Sequence, residues 1–321
     1  MSGSTVERGG PVERGGLAGR GGLVVAVVGP TAAGKSALSL ALAEALGGEV
    51  VNADSMQLYR GMDIGTAKLT PAERAGVPHH VLDIWDVTEP ASVAAYQRLA
   101  RTAVDDILAR GRVPLLVGGS GLYVRAVLEE FDFPGTDPAL RDRLERELAS
   151  SGPAALHARL RLLDPAAADR ILPGNGRRIV RALEVIELTG RPFTASLPTP
   201  TPFYDSVQIA VDLDTGELDE RISTRVDRMW AAGLVEETRA LVDRGLATGR
   251  TARLALGYQQ VLRFLRGEGT EHQAYEETVR ATRRFVRRQR SWFRRDPRTR
   301  WLDATSADLP RAALATVLER G

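Results

Sequence analysis

The 321-residue sequence contains no cysteine, which excludes disulfides, thiolate metal sites and cysteine nucleophiles. Its apolar runs all fall short of the ~18 residues that a membrane-spanning helix needs. The first 22 residues are rich in glycine and repeat Val-Glu-Arg-Gly-Gly, a composition typical of a disordered tail rather than of a signal peptide. We therefore expect a cytoplasmic protein with no membrane partner.

Lysine is also scarce, because only Lys35 and Lys68 are lysines among the 43 Lys and Arg residues. Lys35 belongs to Gly-Pro-Thr-Ala-Ala-Gly-Lys-Ser at 29–36, a complete phosphate-binding loop of the G-x-x-x-x-G-K-[ST] type. The apolar run 23–28 precedes this loop and the helical stretch 37–46 follows it, which is the context that the motif requires. Loop and helix N–H groups then converge on one anionic phosphate, and a compact ammonium fits there better than a planar guanidinium.

Short apolar runs alternate with helical stretches in the first part of the chain. Strands are predicted at Leu23–Val28, Glu49–Ala53, His80–Ile84 and Val113–Val117, helices at Ala37–Leu46 and Ser92–Arg110, and a final strand at Ser206–Leu213 before long helices that run to about Arg295. Such alternation indicates an α/β fold with a parallel sheet and helices on both faces. Between the strands at 113–117 and 206–213, prolines separate helical stretches at 138–150, 153–163 and 177–188. We therefore predict a disordered tail (1–22), an α/β core (23–130 and 205–303) and an inserted helical subdomain (131–204).

Ligands of parallel sheets bind at the carboxyl ends of the strands, where the loop at 29–36, Asp54 and Ser120 all lie. A phosphate loop alone favours a small-molecule or nucleotide kinase, in which a second strand usually ends in a magnesium-binding acid. The clearest buried strand runs instead into Gly-Gly-Ser-Gly, although Asp83 and Asp86 keep the kinase open. Asp54 could activate a phosphoryl acceptor, or it could merely cap a loop. A non-catalytic RNA-binding protein is a third possibility.

Positive charge is concentrated near the end of the chain. Residues 278–300 contain ten arginines and one acid, Asp296. Arg280, Arg284 and Arg287 recur at helical spacing between aromatic residues, so the segment can fold as a helix that presents a basic face to a polyanion. The alternative is a solvated helix face with no partner.

Several segments, in their order along the chain, resemble the tRNA dimethylallyltransferase (tRNA isopentenyltransferase) family in its bacterial form, which lacks a zinc finger. The segments are the phosphate loop, Asp54-Ser-Met-Gln-Leu-Tyr-Arg-Gly-Met-Asp-Ile-Gly-Thr-Ala-Lys68, Val77-Pro-His-His-Val-Leu-Asp83, Gly118-Gly-Ser-Gly-Leu-Tyr123, Arg177-Arg-Ile-Val-Arg-Ala-Leu-Glu-Val185, Ala255-Leu-Gly-Tyr-Gln259 and Arg287-Arg-Gln-Arg-Ser-Trp-Phe293. The resemblance extends over about residues 23–303, and its 54–68 block is the most specific part. It implies a P-loop NTPase-like core with an inserted tRNA-binding subdomain.

The resemblance also implies a reaction: transfer of a dimethylallyl group from dimethylallyl diphosphate to the N6 amine of the adenine 3′ to the anticodon, tRNA position 37. The diphosphate would be held by Gly29, Pro30, Thr31, Ala32, Ala33, Gly34, Lys35 and Ser36. Lys35, Arg225 and a magnesium ion ligated by Ser36 would stabilise the departing diphosphate. Asp54 matches the general base of the family, and Ser120, a further catalytic position by the same resemblance, stands where threonine is commoner.

The tRNA anticodon stem-loop is the implied partner, and its target adenine must be flipped out of the stack. The matching positions for tRNA contacts are Asp54, Ser55, Met56, Gln57, Ser120, Arg141, Arg177, Arg178, Arg181, Gly257 and Tyr258. Leu254 stands where some members of the family have arginine. Arg178 and Arg181 could instead simply cover the helix that follows. We expect a monomer, because the sequence shows no coiled-coil or edge-pairing signal.

Overall fold

The computed structural model describes residues 22–131, 133–193 and 201–320. The predicted tail therefore lies outside the described residues, apart from its last position. The chain divides into two compact units, the first formed by Met1–Glu129 with Pro202–Gly321 and the second by Glu130–Thr201. Among the described residues, no helix combines the length and apolarity needed to cross a membrane.

The first unit is built on a six-stranded sheet in which all paired strands are parallel. The strands are β1 (Val24–Val28), β2 (Gly48–Asn52), β3 (His79–His80), β4 (Val113–Val117), β5 (Ser206–Asp212) and β6 (Thr299–Asp303). Their spatial order is β3-β2-β4-β1-β5-β6. The loops that follow β2, β4 and β1 therefore come from three neighbouring strands and meet at one edge of the sheet.

Helices cover both faces of this sheet, and the first unit contains the following ones. They are α1 (Lys35–Leu46), α2 (Val93–Ala109), α3 (Gly121–Leu128), α7 (Thr215–Ala231), α8 (Leu234–Asp243), α9 (Tyr258–Leu265), α10 (Glu271–Phe293) and α11 (Leu309–Leu318). Every residue of β1 is buried, with Val25 and Val27 facing α1 and α11, and Val24 and Ala26 facing α2 and α3. This two-sided burial explains why β1 is continuously apolar and confirms the predicted α/β parallel sheet.

The second unit is helical. It contains α4 (Pro138–Leu163), α5 (Pro165–Arg170) and α6 (Gly176–Thr189). α4 is broken at Gly152 (φ 77°, ψ 166°), directly before Pro153, so it consists of the two helical stretches that the prolines predicted. Leu144, Leu156 and Leu183 belong to its own apolar core.

Two strand predictions were wrong. The run 80–84 forms a strand only at His79–His80, because Val81 (φ 60°) and Asp83 (φ 55°) adopt left-handed backbone that cannot continue a strand. The strand at 206–212 is not the last one. β6 pairs with it along the sheet edge, and α11 then packs against α1.

Candidate functional site

The loop at 29–36 joins β1 to α1 with glycines where the backbone requires them. Gly29 (φ 125°) passes so close to β5 that an added Cβ would lie 2.5 Å from the Val211 carbonyl oxygen. Ala32 (φ 67°) and Gly34 (φ 93°) are left-handed, which costs a residue such as Ala32 about 1–3 kcal/mol. Gly34 occupies the N-cap of α1 without a side-chain cap, so the first N–H groups of the helix are available to an anion.

Lys35 lies at the centre of an electrostatic cluster. Its Nζ donates a hydrogen bond to the Pro30 carbonyl oxygen at 2.7 Å. Burial lowers the pKa of Lys35 to about 8, the Asp54 carboxylate opposes this shift, and the Arg225 guanidinium adds to it. Burial likewise lowers the pKa of Arg225, again against the Asp54 charge. Three of the predicted catalytic residues, Lys35, Asp54 and Arg225, thus act on one another within one site.

Asp54 directly follows β2 and is held by the Asn52 amide. The Asp54 N–H donates to Asn52 Oδ1 at 2.9 Å, and Asn52 Nδ2 donates to the Asp54 carbonyl oxygen at 3.0 Å. Asp54 Oδ1 accepts from the Met56 N–H at 2.9 Å, so this carboxylate does cap the turn. Within the described ranges, its other oxygen, Oδ2, has no protein hydrogen bond, which leaves it able to accept a proton.

The Gly-Gly-Ser-Gly loop after β4 lies against the turn after β2. A Cβ on Gly118 would lie 2.3 Å from the backbone of Ala53, so only glycine allows this approach. Ser120 Oγ accepts from the Ser55 N–H and donates to Ser55 Oγ, both at a long 3.4 Å. The predicted residue Ser120 is therefore brought beside the Asp54 turn, as its strand-end position predicted.

A pair of tyrosines, which the sequence analysis did not single out, lies near Asp54. Tyr96 donates from its hydroxyl to the Asn52 carbonyl oxygen at 2.9 Å, and its ring centroid lies 4.6 Å from that of Tyr123. Burial raises the pKa of both phenols, and the Asp54 charge adds to the shift. Tyr96 is fully buried, so this pair supports the Asp54 turn from the core side.

The turn at 61–68 contacts Gln57 and Arg225, two of the residues predicted for the site. The Thr66 carbonyl oxygen accepts from Gln57 Nε2 at 3.2 Å and from Arg225 Nη2 at 3.1 Å. Arg225 lies on α7, far from Gln57 in sequence, so this carbonyl fixes both side chains relative to the Asp54 turn.

The half-buried carboxylate of Glu237 supports that turn. Glu237 accepts from the N–H groups of residues 63–65 at 2.9 to 3.3 Å and from the Tyr258 hydroxyl at 2.5 Å. The ring of Tyr258 is fully buried and lies 2.4 Å from where a Cβ on Gly65 would stand. Tyr258 was predicted to contact tRNA, and that contact stays a prediction. In this structure the side chain instead supports the turn that carries Thr66.

Two positions close to Tyr258 in the sequence, Leu254 and Gly257, are enclosed to different degrees. Leu254 ends a short 3-10 turn (Ala252–Leu254) and is half-buried, while Gly257 (φ 85°) is buried before α9. The tRNA contact predicted around Gly257 also stays a prediction.

Lys68, the second lysine of the chain, holds the other end of the turn. Its Nζ donates to Asp63 Oδ1 at 2.6 Å, to Asp83 Oδ1 at 2.5 Å and to the Tyr59 carbonyl oxygen at 3.0 Å, and its side chain is 3% exposed. Sequence reasoning gave this residue no role of its own. Its rarity in an arginine-rich chain was the available signal.

The same contacts bear on the kinase alternative. Asp83, one candidate magnesium-binding acid, is paired with Lys68, and Asp86, the other, accepts from Arg60 and Arg244 at 3.1 Å each. Both acids therefore serve as ion-pair partners in the loops, which does not favour a kinase.

Helix α10 reaches the site through a residue that sequence reasoning missed. Gln289 Oε1 accepts from the Thr31 N–H of the phosphate loop at 2.9 Å, and its Nε2 donates to the Gly119 carbonyl oxygen at 2.9 Å. Trp292, one turn later, lies 2.0 Å from where a Cβ on Gly121 would stand. The Arg-Arg-Gln-Arg-Ser-Trp-Phe segment thus touches both glycine-rich loops, which its sequence alone did not reveal.

The four arginines of the second unit that were predicted to contact tRNA fall into two pairs. Arg141 and Arg181 both donate to the carboxylate of Glu184, which is completely buried, with the Arg181 contact at 2.7 Å. Arg177 and Arg178 lie exposed in the first turn of α6. Arg141 and Arg181 thus hold a buried carboxylate, and Arg177 and Arg178 are exposed.

Comparison with known proteins gives a consistent answer. The IPP transferase family matches residues 57–296. A tRNA dimethylallyltransferase of Salinispora tropica is 78% identical over 294 residues, covering 92% of each chain. The crystal structure of the tRNA isopentenylpyrophosphate transferase of Bacillus halodurans matches with a TM-score of 0.69 and 41% identity, covering 93% of this chain and 97% of that one. A eukaryotic dimethylallyltransferase described as acting on tRNA matches with a TM-score of 0.78 and 27% identity, over 92% of this chain and 77% of that one.

The family match extends over most of the chain, and it includes the Asp54 turn from Gln57 onward, the glycine loop, Arg225 and the α10 segment. The phosphate loop falls within the span matched by the Salinispora tropica relative, which covers 92% of this chain, and by the Bacillus halodurans structure, which covers 93% of it. These matches, and the site that the same residues form, show that the chain belongs to the IPP transferase family of tRNA dimethylallyltransferases.

Proposed function

We propose that the protein transfers the dimethylallyl group of dimethylallyl diphosphate to the N6 amine of adenine 37 in tRNA and releases diphosphate. The observation that carries this proposal is the cluster of Lys35, Asp54 and Arg225 beside the phosphate loop. Two cations and a carboxylate in one site suit a reaction in which an anion leaves and a proton is lost. The names of the relatives support the same activity.

The departing diphosphate is stabilised by the cations Lys35 and Arg225. The allylic C1–O bond breaks with its electron pair going to the diphosphate, so negative charge grows on the diphosphate oxygens. Lys35 and the N–H groups at the start of α1 face this charge from the loop, and Arg225 from α7. Preorganised donors of this kind stabilise a transition state because they need no reorganisation as the charge develops.

The adenine N6 amine is activated as a nucleophile by the Asp54 carboxylate. The N6 amine of adenine is weak because its lone pair is delocalised into the ring, so its proton must be removed as the C1–N6 bond forms. Asp54 Oδ2 accepts this proton, while Oδ1 remains bonded to the Met56 N–H and keeps the carboxylate oriented. Positioned proton transfer of this kind contributes roughly 10²- to 10⁴-fold to rate.

The tRNA enters through the loops that carry Asp54. Gln57 and Ser120 lie on neighbouring strand-end loops and offer an amide and a hydroxyl to a flipped adenine. Arg177 and Arg178 of the second unit are exposed cations suited to the phosphates of the anticodon stem-loop. We expect a monomer that works in the cytoplasm, where tRNA is available.

A magnesium ion fits the loop through Ser36. This hydroxyl is exposed in the first turn of α1, and magnesium takes few protein ligands and keeps several waters. Bound with the substrate, the ion would neutralise charge on the diphosphate. Ser36→Ala should therefore raise the magnesium concentration needed for half-maximal binding of dimethylallyl diphosphate, a binding readout that does not depend on turnover.

The proposal is tested by incubating the protein with radiolabelled dimethylallyl diphosphate, magnesium and unmodified tRNA, followed by nucleoside analysis. Label on the adenine next to the anticodon is the expected result. Absence of transfer together with ATP turnover stimulated by a metabolite would support the kinase instead. Tight tRNA binding with no transfer, unchanged by Asp54→Ala, would support a non-catalytic RNA-binding protein.

Binding of dimethylallyl diphosphate should depend on pH through Lys35. Its pKa in the free protein is about 8, so the ammonium is present below that pH and is lost as the pH rises through it. The dissociation constant for dimethylallyl diphosphate should therefore increase above pH 8, by up to about tenfold per pH unit. Equilibrium titrations of the diphosphate across this range measure the effect. In Lys35→Met the same titrations should show no inflection, and an inflection that persists would contradict the assignment to Lys35.

A further inference from the structure

The carbonyl group of Thr66 is the point on which two predicted site residues depend. Its oxygen accepts from Arg225 Nη2 at 3.1 Å and from Gln57 Nε2 at 3.2 Å. A carbonyl oxygen has two lone pairs, so these two bonds use its whole accepting capacity. Arg225 reaches this oxygen from α7 and Gln57 from the turn after β2. The direction of one backbone carbonyl therefore affects how both side chains are oriented.

The peptide groups before Thr66 are directed by a carboxylate. The N–H groups of Asp63 and Ile64 donate to Glu237 Oε2 at 3.2 and 2.9 Å, and that of Gly65 donates to Glu237 Oε1 at 3.3 Å. Successive N–H groups that converge in this way form a concave anion site. In this protein, a carboxylate of the chain itself fills the site, from a helix more than 170 positions away.

Tyr258 holds that carboxylate in turn. Its hydroxyl donates to Glu237 Oε1 at 2.5 Å and accepts from the Gly65 N–H at 3.1 Å. Burial raises the pKa of the Tyr258 phenol and the Glu237 charge adds to the shift, so the hydroxyl keeps its proton and remains a donor. The fully buried ring also fills the space beside Gly65, where a Cβ would lie 2.4 Å from it. The hydroxyl thus bonds both to the carboxylate and to the turn.

These contacts connect the turn to the helices that carry the site. Glu237 lies on α8 and Tyr258 begins α9, while Arg225 lies on α7. All three helices contribute to one apolar cluster, which also contains Met62 of the turn. The turn has local bonds as well, such as that from Thr66 Oγ1 to the Met62 carbonyl oxygen at 2.6 Å. Local bonds shape the turn, whereas Glu237 and Tyr258 fix its place relative to the helices.

We infer that Glu237 and Tyr258 are positioning residues that orient the Arg225 guanidinium toward the diphosphate of dimethylallyl diphosphate, an inference that rests on the proposed function. They act through the Thr66 carbonyl and do not touch the reacting atoms. The bond from Arg225 Nη2 to this carbonyl fixes the plane of the guanidinium. A guanidinium binds phosphate oxygens with a rigid, planar set of donors, so a small displacement weakens the contact.

Glu237→Gln separates positioning from simple electrostatics. The loss of a negative charge would by itself tighten the binding of an anion, whereas the loss of positioning weakens it. We expect the dissociation constant for dimethylallyl diphosphate, measured by calorimetry, to rise roughly tenfold, less than the ~10²-fold cost of a full 1 Å displacement. Glu236→Gln is the matched control, because Glu236 is the exposed neighbour on the same helix and undergoes the same charge change. It should bind as the wild type does.

Tyr258→Phe makes the smaller change. It keeps the ring beside Gly65 and the net charge, and it removes only the hydroxyl, so the test does not depend on the stability of the Glu237 variant. The dissociation constant for dimethylallyl diphosphate should again rise roughly tenfold. Tyr275→Phe is its control, since the Tyr275 hydroxyl also donates to a carboxylate, Asp227 Oδ1, at 2.6 Å. This control should keep the wild-type affinity.

A double-mutant cycle with Arg225→Gln distinguishes positioning from general support of the fold. If Tyr258 acts through Arg225, then Tyr258→Phe should change the dissociation constant by less than about twofold once Arg225 is absent. Without tRNA in the assay, this constant reports on Arg225 and not on the adenine contact of Gln57. The same tenfold loss with and without Arg225 would show a general structural role and would overturn the proposal.

The remaining outcomes separate this inference from the proposed function. If the wild-type protein transfers the dimethylallyl group but Tyr258→Phe keeps the wild-type affinity for its diphosphate, the positioning proposal is wrong and the reaction stands. If Tyr258→Phe weakens tRNA binding alone, Tyr258 serves the tRNA contact that the sequence predicted, and the positioning proposal is again overturned. If the wild-type protein neither binds dimethylallyl diphosphate nor transfers its dimethylallyl group, the proposed function itself fails.

Discussion

Replacing Asp54 by asparagine should slow dimethylallyl transfer by roughly 10²- to 10⁴-fold while tRNA binding persists. Asparagine keeps an oxygen that can accept from the Met56 N–H, so the turn after β2 should remain folded. It removes the proton-accepting oxygen and the negative charge. Single-turnover rates with saturating tRNA measure the chemical step directly.

The same substitution should leave the affinity for dimethylallyl diphosphate intact or increased. The Asp54 carboxylate lies within electrostatic reach of the cations that bind the diphosphate, and its charge opposes an incoming anion. Because that carboxylate also raises the pKa of Lys35, the assay belongs well below pH 8, where Lys35 stays charged without it. A lower kcat with an unchanged or lower dissociation constant would identify a base rather than a binding residue.

Asp86→Asn is the matched control, since it removes one exposed carboxylate from the same unit of the chain. It should transfer at the wild-type rate. If Asp54→Asn also transfers within about threefold of the wild type, a far smaller effect than general-base catalysis provides, Asp54 is not the base.

Much of this site could be predicted because its parts lie at strand ends. The phosphate loop, the Asp54 turn and the Ser120 loop each follow a short buried strand, and the alternation of strands and helices places such ends together. The structure confirms the parallel sheet on which that reasoning depends. Arg225 came from the resemblance alone, because nothing in its local sequence distinguishes it from other helix arginines.

The residues that were missed act through long-range contacts. Gln289 lies 258 positions from Thr31, and Glu237 lies more than 170 positions from the N–H groups it holds. Polar side chains of this kind have no periodicity or spacing that ties them to a distant backbone group. The ion pairs of Arg280 and Arg284 with Glu276 and Glu277 are different, because they are local contacts on α10 whose helical spacing the sequence already contains.

Substitution of Lys35 by methionine should reduce kcat/KM for dimethylallyl diphosphate by roughly 10²- to 10³-fold, the usual effect of removing one preorganised group from a developing anion. Arg225 and the N–H groups of the loop remain, which is why some activity should survive. Arg239→Met, which removes an exposed cation from α8, should behave as the wild type.

Arginine at position 35 should restore little of this loss, although it restores the charge. Both lysines of the chain occupy confined sites: Lys35 Nζ lies 2.7 Å from the Pro30 carbonyl oxygen, and Lys68 Nζ lies between two carboxylates and a carbonyl oxygen. A guanidinium is wider and planar, so it cannot occupy the position of a compact ammonium inside the loop without moving Pro30. Lys35→Arg should therefore stay within about tenfold of Lys35→Met in kcat/KM. Full recovery with arginine would show that charge alone is required at this position, and that the scarcity of lysine in this chain has no bearing on the loop.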